Sequence, residues 1–183
     1  FHHLFLPTVD IGYKKSGKLA FHLGGASIDI ASPEEPNAPI NYRWNEYRMH
    51  QSVVFTPTSL GKRWKMRFML EERWLQNATN NVLENTHRFT TRYRFKKSLK
   101  EPIYEGENLN CAFIAGGEFF FSSATSRAFF FDQTRFDAGI SLKFWDSTHL
   151  NLSYQHWYQS FPSANISRDL FRIHLSHTLD FTS

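Results

Sequence analysis

The chain has 183 residues, enough for one domain, and its net charge of +4 comes from lysines and arginines dispersed at strand spacing. That dispersal speaks against nucleic acid as a partner, which calls for a single basic patch. Aromatic residues make up 17% of the chain, with 19 phenylalanines, yet mean hydropathy is -0.46, so large apolar rings must alternate with charges. No apolar run approaches the roughly 18 residues of a membrane helix, but the thin, alternating signal of a transmembrane β-barrel remains open. The single cysteine, Cys111, excludes a disulfide framework. Phe1 is not an initiator methionine, so residues are expected to precede it.

Residues 4–13 read as a weak strand, because Pro7 lacks the N–H that a central ladder needs. KKSG at 14–17 reads as a tight turn. A second strand is expected over 19–30, where Gly24 and Gly25 mark a bulge or a close approach inside a barrel wall. SPEEPNAPIN at 32–41 holds three prolines and reads as a loop. The third strand, 42–55, carries Arg43, Trp44, Glu46, Tyr47, Arg48 and His50, and its alternation is too irregular to assign faces.

After a short turn at 56–61, the stretch 62–75 (KRWKMRFMLEERWL) is the one around which the chain is organised. With period two, Trp64, Met66, Phe68, Leu70 and Trp74 fall on one side and Arg63, Lys65, Arg67, Glu71 and Arg73 on the other. With helical period no apolar stripe survives. Its tryptophans stand ten residues apart. At about 3.3 Å per residue and a tilt of about 40°, that is roughly 25 Å, the height of the apolar band of an outer-membrane barrel.

The asparagine-rich segment 76–86 reads as a polar loop. The fifth strand, 87–99, sets Phe89, Thr91, Tyr93 and Phe95 against Arg88, Thr90, Arg92 and Arg94. A loop is expected over 100–108. Strand six, 109–121, puts Cys111, Phe113, Phe119 and Phe121 opposite Asn110 and Glu118. After a small-residue loop at 122–128, strand seven, 129–144, sets Phe130, Phe136, Ile140, Leu142 and Phe144 against Gln133, Arg135, Asp137, Ser141 and Lys143. A tight turn at 146–148 leads to strand eight, 149–161, with Leu150, Leu152, Tyr154 and Tyr158 against Asn151, Ser153, Gln155 and Gln159. Following a loop at 161–168, the last strand, 170–181, alternates Phe171, Ile173, Leu175, Leu179 and Phe181 with Arg172, His174, Ser176, Thr178 and Asp180.

The expected fold is all-β: one transmembrane up-and-down antiparallel β-barrel spanning 1–183, in the bacterial outer membrane. In a soluble barrel such as a lipocalin the apolar side chains fill the lumen. Here five or six bulky groups per strand would overfill it, whereas turned outward to lipid they need no partners. The membrane-facing aromatics are then Trp64, Phe68, Trp74, Phe136, Tyr154, Tyr158, Phe171 and Phe181. A charge ladder of Arg63, Arg67, Glu71, Arg73, Arg88, Arg92, Arg94, Glu118, Arg135, Asp137, Arg172 and Asp180 is expected to line the lumen, since a buried charge is tolerated only when paired. Nine strands are visible, and closure with both ends periplasmic requires an even number. Ten strands are expected, one of them preceding Phe1 or arising from a split within the first thirty residues. Eight is the alternative, if 4–13 lies outside the wall. The 32–41, 76–86, 122–128 and 161–168 loops are expected outside the cell, with the shorter turns periplasmic.

The runs LEERW (70–74), HRFTTRYRF (87–95), GGEFFF (116–121), FFDQTRFDAGISLKF (130–144), LNLSYQHWYQ (150–159) and LFRIHLSHTLDF (170–181) resemble the DUF2490 family of bacterial outer-membrane proteins, frequent in Bacteroidota-like bacteria. The resemblance spans about 42–181 and includes Thr134, Arg135 and Gly139 of one family strand. It implies an envelope location and a barrel, and no activity. The last strand also resembles an outer-membrane insertion signal, although Thr182 and Ser183 follow its aromatic residue.

No cofactor or metal is expected: His2 and His3 are adjacent at the chain start, and no other cluster has metal-site spacing. The expected role is an accessory or structural subunit of a cell-envelope complex, in contact with outer-membrane lipid and with a larger barrel or a surface lipoprotein. A narrow, anion-preferring, porin-like channel is the alternative. A lipid-modifying barrel enzyme is the third reading, with His156 and Ser160 on the lipid-facing side of strand eight as its candidate residues.

Overall fold

The computed structural model describes residues 4–5, 8–16, 18–30, 44–57, 63–79, 82–124, 127–144, 147–160 and 165–177. His2, His3, the proline-rich 32–41 segment, Leu179, Asp180 and Phe181 lie outside them. Every regular element among the described residues is a strand: β1 (Leu4–Phe5), β2 (Thr8–Ser16), β3 (Leu19–Ile30), β4 (Trp44–Phe55), β5 (Trp64–Thr79), β6 (Val82–Glu105), β7 (Leu109–Ala124), β8 (Arg127–Phe144), β9 (Thr148–Ser160) and β10 (Asn165–His177). The strands form one antiparallel sheet in the order β1-β3-β4-β5-β6-β7-β8-β9-β10, with β2 also on β3, so that from β2 onward each pairs with its sequence neighbours.

The ten segments occupy nine positions in that sheet. Leu4 faces Ile30 in β1, and Thr8 faces Ala26 in β2, so four steps along one strand match four steps back along β3. The two lie in line along the same edge of β3, in one continuous register. A split within the first thirty residues is thus present among the described residues, where ten strand segments occupy nine positions.

Several segments expected as loops are strand. β5 and β6 run on to Thr79 and from Val82, leaving little of the 76–86 loop. Side chains that looked like loop markers bridge the hairpin: Gln76 Nε2 donates to the Glu84 carbonyl at 2.9 Å and Asn77 Nδ2 to Thr86 Oγ1 at 2.9 Å. Likewise β6 continues to Glu105, and the 100–108 loop shrinks to a turn in which the Gly106 N–H is shared between the Leu109 carbonyl and Asn110 Oδ1. β7 reaches Ala124 and β10 begins at Asn165, which shortens the 122–128 and 161–168 loops in the same way. Polar composition marks water on both faces of a strand as readily as it marks a loop.

The contacts of the chain gather into two compact units. The first lies within Phe1–Phe55, Arg67–Phe95 and Phe120–Asp132, the second within Thr56–Met66, Lys96–Phe119 and Gln133–Ser183. In the first, β4 has clear faces: Tyr47, Met49 and Phe55 are exposed, while Glu46 and Ser52 are buried. Gly24 stands opposite His50 in β4, and a Cβ on it would lie 2.5 Å from that imidazole ring and 2.6 Å from the Val9 carbonyl. With the register of β3 unbroken there, the glycine serves close approach and not a bulge.

Both units are inverted relative to a water-soluble fold. The first buries Glu46, Glu71, Arg92, Ser122 and Asp132 and exposes Ile11, Phe21, Phe68, Phe89 and Tyr93. In the second, Glu118, Gln133, Ser141 and Gln155 are buried while Phe113, Phe136, Ile140, Leu152 and Phe171 are exposed.

Candidate functional site

The buried face of the first unit is a network of charges carried by adjacent strands. Glu46 of β4 has no exposed surface, and its carboxylate takes a two-pronged contact from Arg73 of β5, Nε to Oε1 at 2.5 Å and Nη2 to Oε2 at 2.9 Å. Arg48, two residues along β4, donates to the same Oε1. Glu71 of β5 receives Arg94 Nη1 of β6 at 2.5 Å, with Arg92 Nη1 at 3.6 Å. Arg92 also places Nε 3.1 Å from Asp132 Oδ2, an oxygen that accepts the Ser122 hydroxyl at 2.9 Å. The guanidinium carbons of Arg92 and Arg94 lie 5.7 and 4.8 Å from the centroid of Phe120, whose ring is fully buried. Charges removed from water this far persist only when their partners are held in place, and the fork geometry of arginine with carboxylate provides that.

In the second unit, Lys96 Nζ lies 3.4 Å from Asp137, and Arg135 sits over the Trp157 ring at 4.5 Å, with Arg168 at 5.4 Å from the same ring. Of the expected ladder, Glu71, Arg73, Arg92 and Arg94 thus form the ion pairs just described, Glu118 is buried, and Arg67, Arg135 and Asp137 are half-buried. Arg63, Arg88 and Arg172 are exposed. Arg63 stands at the mouth of β5, paired with Glu101 at 2.5 Å; Arg88 sits in the part of β6 that is exposed on both sides. Arg172 is on β10, which ends the strand order and is exposed at every residue from Leu170 to Leu175.

Two members of the network escaped the sequence pattern. Glu46 lies on the strand whose faces could not be assigned. Asp132 shares parity with Phe136, which should place it on the apolar face. Instead Phe129 and Phe131 lie against Phe121, at 5.2 and 5.9 Å, while Phe136 meets Phe119 at 6.2 Å, so the apolar face of β8 changes parity between Phe131 and Phe136. Three consecutive buried residues, Asp132, Gln133 and Thr134, mark the irregularity. Phe130, expected with Phe136, is therefore out of phase with it.

Aromatic rings pair across strands, the exposed Phe68 with half-buried Phe95 at 4.9 Å, half-buried Trp74 with exposed Phe89 at 5.4 Å, and Tyr154 with Phe171, both exposed, at 5.6 Å. Tyr158 is exposed, and Trp64 is half-buried beneath Lys97 Nζ, 4.4 Å from its ring. An apolar recess of about 820 Å³ in the first unit is lined by exposed side chains including Ile11, Tyr13, Phe21, Leu23, Phe68 and Tyr93.

The second polar constellation is small and lies on the opposite kind of surface. On the exposed face of β9 and β10, His156 Nδ1 is 2.8 Å from Asp169 Oδ1, and Ser167 Oγ is 3.3 Å from His156 Nε2. The Tyr154 hydroxyl donates to the same Asp169 oxygen at 2.5 Å. The expected partner Ser160 is not part of it: four residues from His156 on one strand means about 13 Å along the strand. Ser167 instead faces Tyr158 in the register, one diagonal step from His156, which faces Asp169. Ser167 fell in the expected 161–168 loop and Asp169 just before the expected strand, so neither their common face nor the register that brings them to His156 was readable. His177, at the far end of β10, pairs with Thr148 at 2.8 Å.

No curated protein and no solved structure matches this chain. The model of one family, described as "Protein of unknown function (DUF2490)", matches residues 2–168, from the first strand into the last. The chain therefore belongs to the DUF2490 family.

Proposed function

We propose that this protein is a β-barrel of the bacterial outer membrane, serving as a structural or accessory subunit of the envelope. The observation that carries the reading is the inversion of both units: one set of strands buries Glu46, Glu71 and Arg92 and exposes Phe21, Phe68 and Phe171. In water each such exposed side chain forgoes about 1.5–3 kcal/mol of burial, and in hydrocarbon it forgoes nothing. From β3 onward the strands have 12 to 24 residues, against the 9–11 or so that cross a bilayer. The surplus length of β6 is polar at Glu84–His87 and exposed at Asn85–His87, as a strand leaving the membrane must be.

The paired network argues for a wall stiffened from within and against a wide conducting lumen, because four arginines, three carboxylates and Phe120 occupy each other. The polar β5–β6 hairpin is the natural contact for a larger barrel or a surface lipoprotein. Refolding into phospholipid vesicles tests the membrane reading. The expected product is protected from protease and migrates differently on gels before and after boiling; a stable monomer in detergent-free buffer would falsify it. Co-purification from native membranes in mild detergent tests the subunit role, and planar-bilayer conductance tests the channel.

A further inference from the structure

We propose that Ser167, His156 and Asp169 form an acyl-ester-cleaving centre on the lipid-facing side of the β9–β10 hairpin. The assignment of membrane lipid as substrate rests on the reading above; the assignment of the three residues does not. The hydrogen bonds are those of a nucleophile, a base and an orienting carboxylate in series: Ser167 Oγ to His156 Nε2 at 3.3 Å, His156 Nδ1 to Asp169 Oδ1 at 2.8 Å. With Nδ1–H donated to the carboxylate, the Nε2 lone pair faces the serine hydroxyl, the tautomer that general-base chemistry requires. Tyr154 fixes the same carboxylate oxygen from the other side.

The setting distinguishes this cluster from an ordinary surface network. Its neighbours on the same face are apolar and exposed: Phe171 opposite Tyr154, and Ile173 opposite Leu152. An acid 60% exposed among such residues is costly beside lipid, and polar groups placed there at a cost mark function. Its depth fits the substrate. Asp169 is four residues from the start of β10, which at a tilt of about 40° is about 10 Å of height, the level of the boundary between headgroups and acyl chains where ester carbonyls lie.

The reaction balances with water as the only co-reactant. Ser167 Oγ bonds to the ester carbonyl carbon as His156 Nε2 takes its proton. The carbon–alkoxy bond breaks, and His156 returns the proton to the leaving alcohol. Water, deprotonated by His156, then attacks the acyl carbon; the bond from that carbon to Ser167 Oγ breaks, His156 returns the proton to Oγ, and the carboxylic acid leaves.

The test is covalent labelling of the protein refolded in phosphatidylethanolamine vesicles, using an alkyl fluorophosphonate, which captures an activated serine with loss of fluoride. The expected result is one adduct, mapped to Ser167, together with fatty-acid release from the vesicles. Ser167→Ala should abolish both, His156→Ala should slow labelling by 10²-fold or more, and Asp169→Asn should slow it and shift its pH profile, with roughly 10²–10⁴ at stake for each group. Ser160→Ala should leave the rate unchanged. Vesicle-inserted protein that takes no label, or takes it elsewhere than Ser167, overturns the centre and leaves the membrane reading standing. Ser167 labelling in a protein that stays outside vesicles supports the centre and overturns the membrane reading.

Discussion

Nε of Arg92 lies 3.1 Å from Oδ2 of Asp132, and the same carboxylate oxygen accepts the hydroxyl of Ser122. Both charged residues are buried, and the contact joins β6 to the one place on β8 where alternation breaks. The irregularity is what turns an acid toward the arginines. Asp132→Ala should cost about 3 kcal/mol, the lower end for a broken buried pair because Glu71 still stands 3.6 Å from Arg92. Urea midpoints of refolded protein measure it, and a loss below about 1 kcal/mol would mean that the pair does not hold the strand.

Glu46 is the more demanding position, since Arg48 and Arg73 both lean on one fully buried carboxylate. Glu46→Ala should cost about 5 kcal/mol, the upper end of the range for removing one partner. Changing Glu46 and Arg73 together should cost less than the sum of the single changes, with a coupling of about 1–3 kcal/mol in a double-mutant cycle. Additive losses would show that the fork is geometry without energy.

Gly139 leaves no room for a side chain. A Cβ there would stand 2.1 Å from the Leu152 carbonyl oxygen and 2.6 Å from Ser153 Cα, both backbone atoms of the paired strand β9. Gly139→Ala should force the β8–β9 ladder apart and lower stability by about 3 kcal/mol or prevent refolding. Ala138→Val, on the neighbouring exposed position, should stay within about 0.5 kcal/mol. Thermal melts followed by circular dichroism distinguish the two.

Charge placed on the aromatic face reports what that face touches. Phe136→Arg should cost about 2–4 kcal/mol in vesicles if the ring lies near the bilayer midplane, while Leu83→Arg, in the exposed end of β6, should cost about 0–1. Equal, small effects at both positions would place Phe136 in water.

Alternation made most of the strands legible, because a two-residue period survives wherever one face is consistently apolar. Phe68, Phe89, Tyr93 and Phe171 are exposed as their parity predicts, and Glu71, Arg73, Arg92 and Arg94 meet on the other face of the first unit's strands. Three things were not local enough to read. Asp132 required the break in β8, and Ser167 required the pairing of β9 with β10. The hairpin ends required knowing that Gln76 and Asn77 bond across strands instead of unravelling them. In each case the missing term was a contact between residues whose distance in sequence hides their distance in space.

Among the described residues, from β2 onward each ladder joins strands that follow one another in the chain. The entropy of closure grows with loop length, so pairing between near neighbours is the least costly step, and only the closing of a barrel would have to join distant ends. Assembly can proceed as a zipper, one hairpin templating the next, and in a closed barrel the step that stands apart is the last, when the final strand meets the first.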